Sequence, residues 1–343
     1  MQALALQHVI ELCGYSVKII DYRKNFHYKG IKRCLWRIFE RLFFLFPDFL
    51  FPRYAMKYYL LQRKYMKLVP CNSLSDLLKT NKIFDTFVCG SDQIWAPNVL
   101  DNAYLLSFVE DEKKRIAYAP SIGLPLIPER LKSIYASNIS KFQSVSVREK
   151  HGAELLKREF CISAQVVLDP TLLLTGEEWD KLIKIPVVKE SSYVFCYFLG
   201  KNSWQVEFAK KNAEKEGKKL FIMSPHSDYS KYADRYWNNL TPDYFIGFLR
   251  NADKVFTDSF HGMAFSVNFK KDFLFFHRFA VADPVNQNSR VDSLADLLGL
   301  QGRLVVEDMQ NCNHPAIDFK VVFEKLQAER QKSISYLEKA LAS

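Results

Sequence analysis

Along most of this chain, short apolar runs break off into small, polar or charged residues, and a helix-compatible stretch follows. The runs are 84–89, 115–119, 144–147, 165–168, 193–198, 219–223, 255–257 and 272–276, with helical spacing at 129–141, 149–159, 203–216 and 242–250 between them. Continuous apolar runs differ from the one-sided alternation of a half-wet sheet. Strands buried on both faces and alternating with helices belong to parallel α/β sheets. In such sheets ligands sit at the carboxyl ends of the strands, so the loops after the runs matter most. The sharpest is Val255-Phe256-Thr257-Asp258-Ser259-Phe260-His261-Gly262, where a strand gives way to Ser259, His261 and a helix start. A histidine there can meet an anion or exchange a proton near neutral pH, or it can simply cap the helix.

Length and pattern divide the chain. With 343 residues, two domains are expected, and 48% apolar residues are ample for two cores. The pattern predicts an N-terminal doubly wound domain over 1–170, a C-terminal one over 171–315, and a closing helix in 316–343. The break falls near 170–190. Residues 2–13 read as a helix stopped by Gly14, and 16–21 as a strand. A helix feeding a strand is the back half of a βαβ unit, so a strand is expected before Met1.

Charge is concentrated. Residues 23–67 hold twelve basic and two acidic side chains, which accounts for the whole net charge of +10. The same segment is rich in Phe, Tyr and Trp. It reads as a helical insertion over about 23–80 whose aromatics pack on the main domain. A second reading has residues 29–67 lying against an anionic membrane surface. Nucleic acid is not expected, because the charge is confined to one segment and no nucleic-acid module is present. The seven cysteines form no Cys-x-x-Cys pair, which suits a reduced cytoplasmic protein without a zinc site. No Walker, dinucleotide, HExxH or GxSxG motif is present.

Several loops carry candidate side chains. Arg148 follows a strand directly and offers a planar fork to a carboxylate or phosphate, or pairs with Glu149 at the surface. Ser91, Asp92 and Gln93 sit on one tight loop that can bond a polyol; Asp92 can act as a general base or cap a helix. Arg278, after the Phe-rich run, and Arg290, before a helix, can each reach an anion. Asp169-Pro170 reads as a structural turn.

Together, FDTFVCGSDQIW (84–95), RIAYAPSIG (115–123), SVSVREKHGAELL (144–156), VVLDPTLLL (166–174), ADKVFTDSFHGMAFSV (252–267) and NSRVDSLADLLGL (288–300) resemble the polysaccharide pyruvyl transferase family. The resemblance implies two Rossmann-like doubly wound parallel-sheet domains, similar to the GT-B glycosyltransferases. It implies transfer of a pyruvyl group from phosphoenolpyruvate to a sugar residue of a polysaccharide precursor, with a pyruvate ketal formed and phosphate released. No metal or nucleotide cofactor is required by that chemistry. Arg148 matches the family's arginine after this strand, and His261 its SFHG histidine. Arg148 is then an anion ligand and His261 an anion ligand or general acid. Asp92 is the candidate base. Ser91, Gln93 and Ser259 are candidate substrate contacts, and Arg278 and Arg290 both qualify as the further basic group. A sugar or lipid-linked oligosaccharide is the expected acceptor, which would bring a cytoplasmic enzyme to the inner face of the membrane. The departure lies at the start, where Gln2-Ala3-Leu4-Ala5-Leu6 appears without the strand and Asn/Gly loop that usually precede it. A nucleotide-sugar glycosyltransferase, or a truncated binding protein, are the other readings of this fold.

Overall fold

The computed structural model describes residues 1–22, 53–280, 283, 286–307 and 314–343. The N-terminal part contains β1 (Ile19–Tyr22), β2 (Leu68–Cys71), β3 (Thr86–Cys89), β4 (Lys114–Ala117), β5 (Ser144–Val147) and β6 (Gln165–Val166). The C-terminal part contains β7 (Tyr193–Tyr197), β8 (Lys219–Met223), β9 (Arg235–Trp237), β10 (Lys254–Thr257), β11 (Asp272–Phe276) and β12 (Leu304–Val305). All the ladders between them are parallel.

The C-terminal sheet runs β12-β11-β10-β7-β8-β9. Chain order therefore reverses between β7 and β10, the switch point where a doubly wound sheet opens a crevice. Side chains along its strands alternate between two cores. Phe195, Phe221, Val255, Phe273 and Phe275 enter one, while Val194, Cys196, Ile222, Phe256 and Leu274 enter the other. Both faces are covered, as the continuous apolar runs predict. The first of these cores also takes Leu4 and Val9 from the first helix and Leu326 and Leu337 from the last, so it spans the junction of the two parts.

The N-terminal sheet is in two pieces, a β1-β2 pair and a β3-β4-β5-β6 sheet. The predicted helical insertion over 23–80 needs correction in its last third. Residues 53–65 are helical, but Leu68–Cys71 form β2, paired with β1. Pro70 argues against a strand in sequence; it is tolerated because β2 is an edge, where a missing donor costs nothing in the ladder. Residues 23–52, which carry most of the basic and aromatic side chains, lie outside the described residues. The break near 170–190 also holds two short helices, Pro170–Leu173 and Gly176–Leu182, the second with a Thr175/Glu178 capping box.

The last helix, Phe319–Ala342, begins at the Asp318 cap and returns to the N-terminal part. Buried Arg330 donates to the carbonyls of Leu172 (2.6 Å) and Leu174 (3.1 Å) and to Asn268 (3.0 Å). Tyr336 donates to the Ala117 carbonyl at the end of β4 (2.9 Å). These bonds fix the two parts to each other and hold their strand ends across one cleft.

Candidate active site

The loops after β3, β4, β5 and β10 meet in this cleft. The β3 and β4 loops are zipped together, with Ser121 N donating to Asp92 O at 2.7 Å. Asp92 itself sits at φ 75°, a backbone region that non-glycine residues seldom occupy. Its side chain caps no helix, which removes the capping reading. Gly90 is required by contact: a Cβ there would lie 1.8 Å from the Tyr118 carbonyl oxygen.

Arg148 lies at the centre, with 2% of its side chain exposed. Its Nη1 donates to Asp169 Oδ2 at 2.8 Å. Nη2 is 3.6 Å from Asp92 Oδ1, and Nε is 3.9 Å from Glu149 Oε2. The guanidinium stands 4.5 Å from the centre of the Phe260 ring, across the junction. Burial works against its charge, but the Asp169, Asp92 and Glu149 carboxylates outweigh burial and raise its pKa above the usual value. The surface-pair reading of Arg148 and Glu149 is overturned, since both are buried. Glu149 instead ties down the β4 loop, accepting from Ser121 Oγ and from the amides of Ile122 and Gly123. Arg148 Nε and Nη2 and Glu149 Oε2 are buried without a hydrogen-bond partner. Buried donors of this kind are rare unless something else binds them.

Asp169 has a task beyond the structural turn that the sequence predicts. It does cap its short helix, accepting from Thr171 N and Oγ1. Its other oxygen, however, takes Arg148 and Ser91 Oγ (3.0 Å) and lies 3.9 Å from His261 Nε2. Burial opposes its charge, but His261, Arg148 and Thr171 hold the carboxyl far below the usual range. An Asp-Pro pair is so common a turn that only the fold could reveal this second task.

His261 is the second residue of the helix Phe260–Asn268, whose N-cap is Ser259. It therefore does not cap the helix. Its Nε2 lies 2.8 Å from the Gln2 side-chain amide, a neighbour that can donate to the neutral ring nitrogen or, with its oxygen turned in, accept from the protonated one. The helix amino end comes close to the strand because of Gly262, where a Cβ would meet Thr257 Oγ1 at 2.2 Å. Buried Ser259 donates its amide to the same Thr257 hydroxyl.

Asp258 ties the two sides of the switch point, accepting from Leu199 N (2.8 Å) and Gly200 N (2.6 Å). Arg278 approaches it, with Nε 3.6 Å from Asp258 Oδ2 and Nη2 donating to Asp258 O. Arg278 Nε is also buried without a hydrogen-bond partner. Arg290 Nη2 donates to Gln287 Oε1, and Gln93 Nε2 donates to the same oxygen at 2.8 Å from the other domain. Burial, with the Arg148 and Arg278 charges adding to it, brings the Arg290 guanidinium down to about 10. The Arg148 and Arg278 charges are thus both felt at Arg290, and the three guanidiniums share this neighbourhood with the Asp92, Glu149, Asp169 and Asp258 carboxylates.

Residues 1–277 match the polysaccharide pyruvyl transferase family. The chain belongs to this family. The pyruvyl transferase match contains Asp92, Arg148, Asp169 and His261, while Arg278 and Arg290 lie just beyond it. No curated protein matches the chain. Among solved structures, a UDP-GlcNAc 2-epimerase from Neisseria meningitidis is similar, with 13% identity, TM-score 0.47, and 95% of this chain and 97% of that one covered. A glycosyltransferase from Rickettsia africae has 14% identity and TM-score 0.43, covering 95% of this chain and 99% of that one. The pyruvyl transferase chain combines a doubly wound C-terminal sheet with strand-end segments that carry Arg148, Arg278 and Arg290. Among the described residues no group of histidines, cysteines and carboxylates is arranged to hold a metal ion, and no helix is long and apolar enough to cross a membrane.

Proposed function

We propose that the chain transfers a pyruvyl group from phosphoenolpyruvate to two hydroxyls of a sugar in a polysaccharide precursor. The observation that carries this reading is a set of buried guanidinium nitrogens without a hydrogen-bond partner, Arg148 Nε and Nη2 and Arg278 Nε, on two arginines whose charges both reach Arg290. Phosphoenolpyruvate has a carboxylate and a phosphate on adjacent atoms. A ligand with two anionic groups suits several fixed cations better than one with a single group.

The chemistry balances within the cleft. A proton goes to the methylene carbon, which becomes the methyl group, and positive charge develops at the neighbouring carbon. One sugar hydroxyl adds there and loses its proton. Phosphate leaves with the electrons of its C–O bond, and the second hydroxyl adds at the same carbon and closes the ketal, its proton going to the departing phosphate. His261 is the proton donor, and half-exposed Asp92 accepts from the acceptor hydroxyl. The arginines hold the donor's charges and then the departing phosphate. Ser91 and Ser259 shape the floor, and Gln93 closes the side shared with Gln287.

Calorimetry with phosphoenolpyruvate tests the reading. Binding to the chain that weakens in Arg290→Ala is expected. A folded protein that binds a UDP-sugar and ignores phosphoenolpyruvate would overturn it in favour of glycosyl transfer. A lipid-linked acceptor would give the basic segment 29–67 a role at an anionic membrane. Flotation with anionic vesicles tests that part, and equal recovery after neutralising its lysines and arginines would remove it.

A further inference from the structure

Two helices of the C-terminal part begin at an asparagine that does not cap them. Asn202 precedes the helix Ser203–Lys215 and Asn288 precedes the helix Ser289–Leu298, and neither side chain bonds the first turn of its own helix. Asparagine at this position ordinarily accepts from the second or third amide of its helix. Here both side chains turn to the segment that leaves β11. Asn288 Oδ1 accepts from Arg278 N (3.1 Å) and Phe279 N (3.2 Å), and its Nδ2 donates to Phe279 O (2.7 Å). Asn202 Nδ2 donates to Arg278 O (3.1 Å). Buried Gln205, in the first turn of the same helix as Asn202, donates to His277 O (2.9 Å). Asp292, one turn on from Asn288, meets the His277 ring, with Oδ1 2.7 Å from Nε2.

The Arg278 side chain is confined as well. A Cβ on Gly200 would lie 2.7 Å from Arg278 Cγ, so the arginine stem passes over bare backbone. Its Nη2 donates to Asp258 O, while Nε is buried without a hydrogen-bond partner. A loop that only joins two elements needs no such grip. Polar side chains that leave their own helices to hold one backbone segment fix the direction in which that segment's side chain points.

We propose that Asn288 and Asn202 are positioning residues that aim Arg278 and fix its spacing from Arg290, so that the two guanidiniums take the two anionic groups of one ligand. Asn288 stands two residues before Arg290 and grips the backbone of Arg278, so one residue ties both cations together. A pair of cations fixed in this way loses little freedom on binding and favours a ligand whose charges match its spacing. The inference rests on the reading that this cleft takes phosphoenolpyruvate.

Asn288→Ala and Asn202→Ala test it with two independent readouts. The first is the rate at which phenylglyoxal, a dicarbonyl reagent for arginine, labels each arginine, followed by mass spectrometry. Labelling of Arg278 should rise by about fivefold or more in Asn288→Ala, while buried Arg330 stays as in the wild type. The second is calorimetry with phosphoenolpyruvate and with inorganic phosphate. Asn288→Ala should weaken phosphoenolpyruvate by about tenfold or more and phosphate by less than about threefold. In an Arg278→Ala background the same substitution should change phosphoenolpyruvate affinity by less than about threefold, because the group it positions is gone. A merely structural asparagine would lower affinity in both backgrounds alike, and that result would overturn the proposal. So would unchanged labelling of Arg278. If Asn288→Ala does not fold, Asn202→Ala carries the same readouts. Wild-type protein that ignores phosphoenolpyruvate would overturn the functional reading and the two-anion role with it. Wild-type binding that the asparagine variants leave unchanged would overturn the positioning role alone.

Discussion

Arg148 Nη1 donates to Asp169 Oδ2 at 2.8 Å, with neither side chain more than 2% exposed. The pair joins the loop after β5 to the first residues beyond β6, and its carboxylate also reaches toward His261 on the other domain. Breaking a buried pair on one side leaves a charge without a partner, which costs far more than the pair itself contributes.

Asp169→Asn should therefore destabilise the protein by about 3–5 kcal/mol at pH 7, measured by urea unfolding. The pH dependence has a fixed sign. The Asp169 pKa is depressed in the folded state, so its stabilisation is complete above the ordinary aspartate value of about 4 and is lost as pH falls from there toward the folded value. The wild type should lose stability over that acid range, and the asparagine variant should lose less. Parallel acid profiles would show that Asp169 is not charged in the fold.

Arg290→Ala should leave unfolding nearly unchanged, because among the described residues its bonds are to the nearby Gln287 alone and removing it also removes a desolvated charge. Loss of one charged contact should weaken phosphoenolpyruvate binding by about 10- to 100-fold by calorimetry. Wild-type affinity in this variant would remove Arg290 from the donor site.

Asp92→Asn separates binding from chemistry. If Asp92 is the base, kcat should fall by about 10²–10⁴-fold while donor affinity changes little. Burial raises its pKa, but the Arg148 and His261 charges outweigh burial and keep the carboxyl below the usual range. Its protonation should therefore produce no acid limb in the kcat profile above about pH 4. An Asp92-dependent limb near pH 6 would contradict this environment.

Gly262→Ala tests the approach of the His261 helix to β10. A methyl group 2.2 Å from Thr257 Oγ1 must displace the helix or the strand end. A loss of about 1–3 kcal/mol is expected, with a larger loss of activity than of stability-corrected binding. Unchanged Tm and rate would mean the contact relaxes without moving His261.

The parallel two-domain fold was legible because buried strands write continuous apolar runs, and the run 193–198 differs from β7 by one residue. The edges were not. Arg235–Trp237 and Leu304–Val305 pair over three and two residues, too short for any period to register. The cleft loops with Arg148, His261 and Asp92 were visible because a strand end that turns polar is a local event. Asp258 was visible too, as part of the same loop, but its bonds to Leu199 and Gly200 cross from another strand.

By itself the sequence determined the alternation of strands and helices, the loops that face the cleft, and the family to which they belong. Only the tertiary structure decided that Asp169, while capping its turn, also holds Arg148, that Gln2 meets His261, and that Gln93 and Arg290 share Gln287. Periodicity is carried by neighbouring residues and survives in one dimension. Partners separated by 21, 259 and 194 positions are chosen by how the sheets and the last helix pack, and that choice leaves no mark on either residue's immediate neighbours.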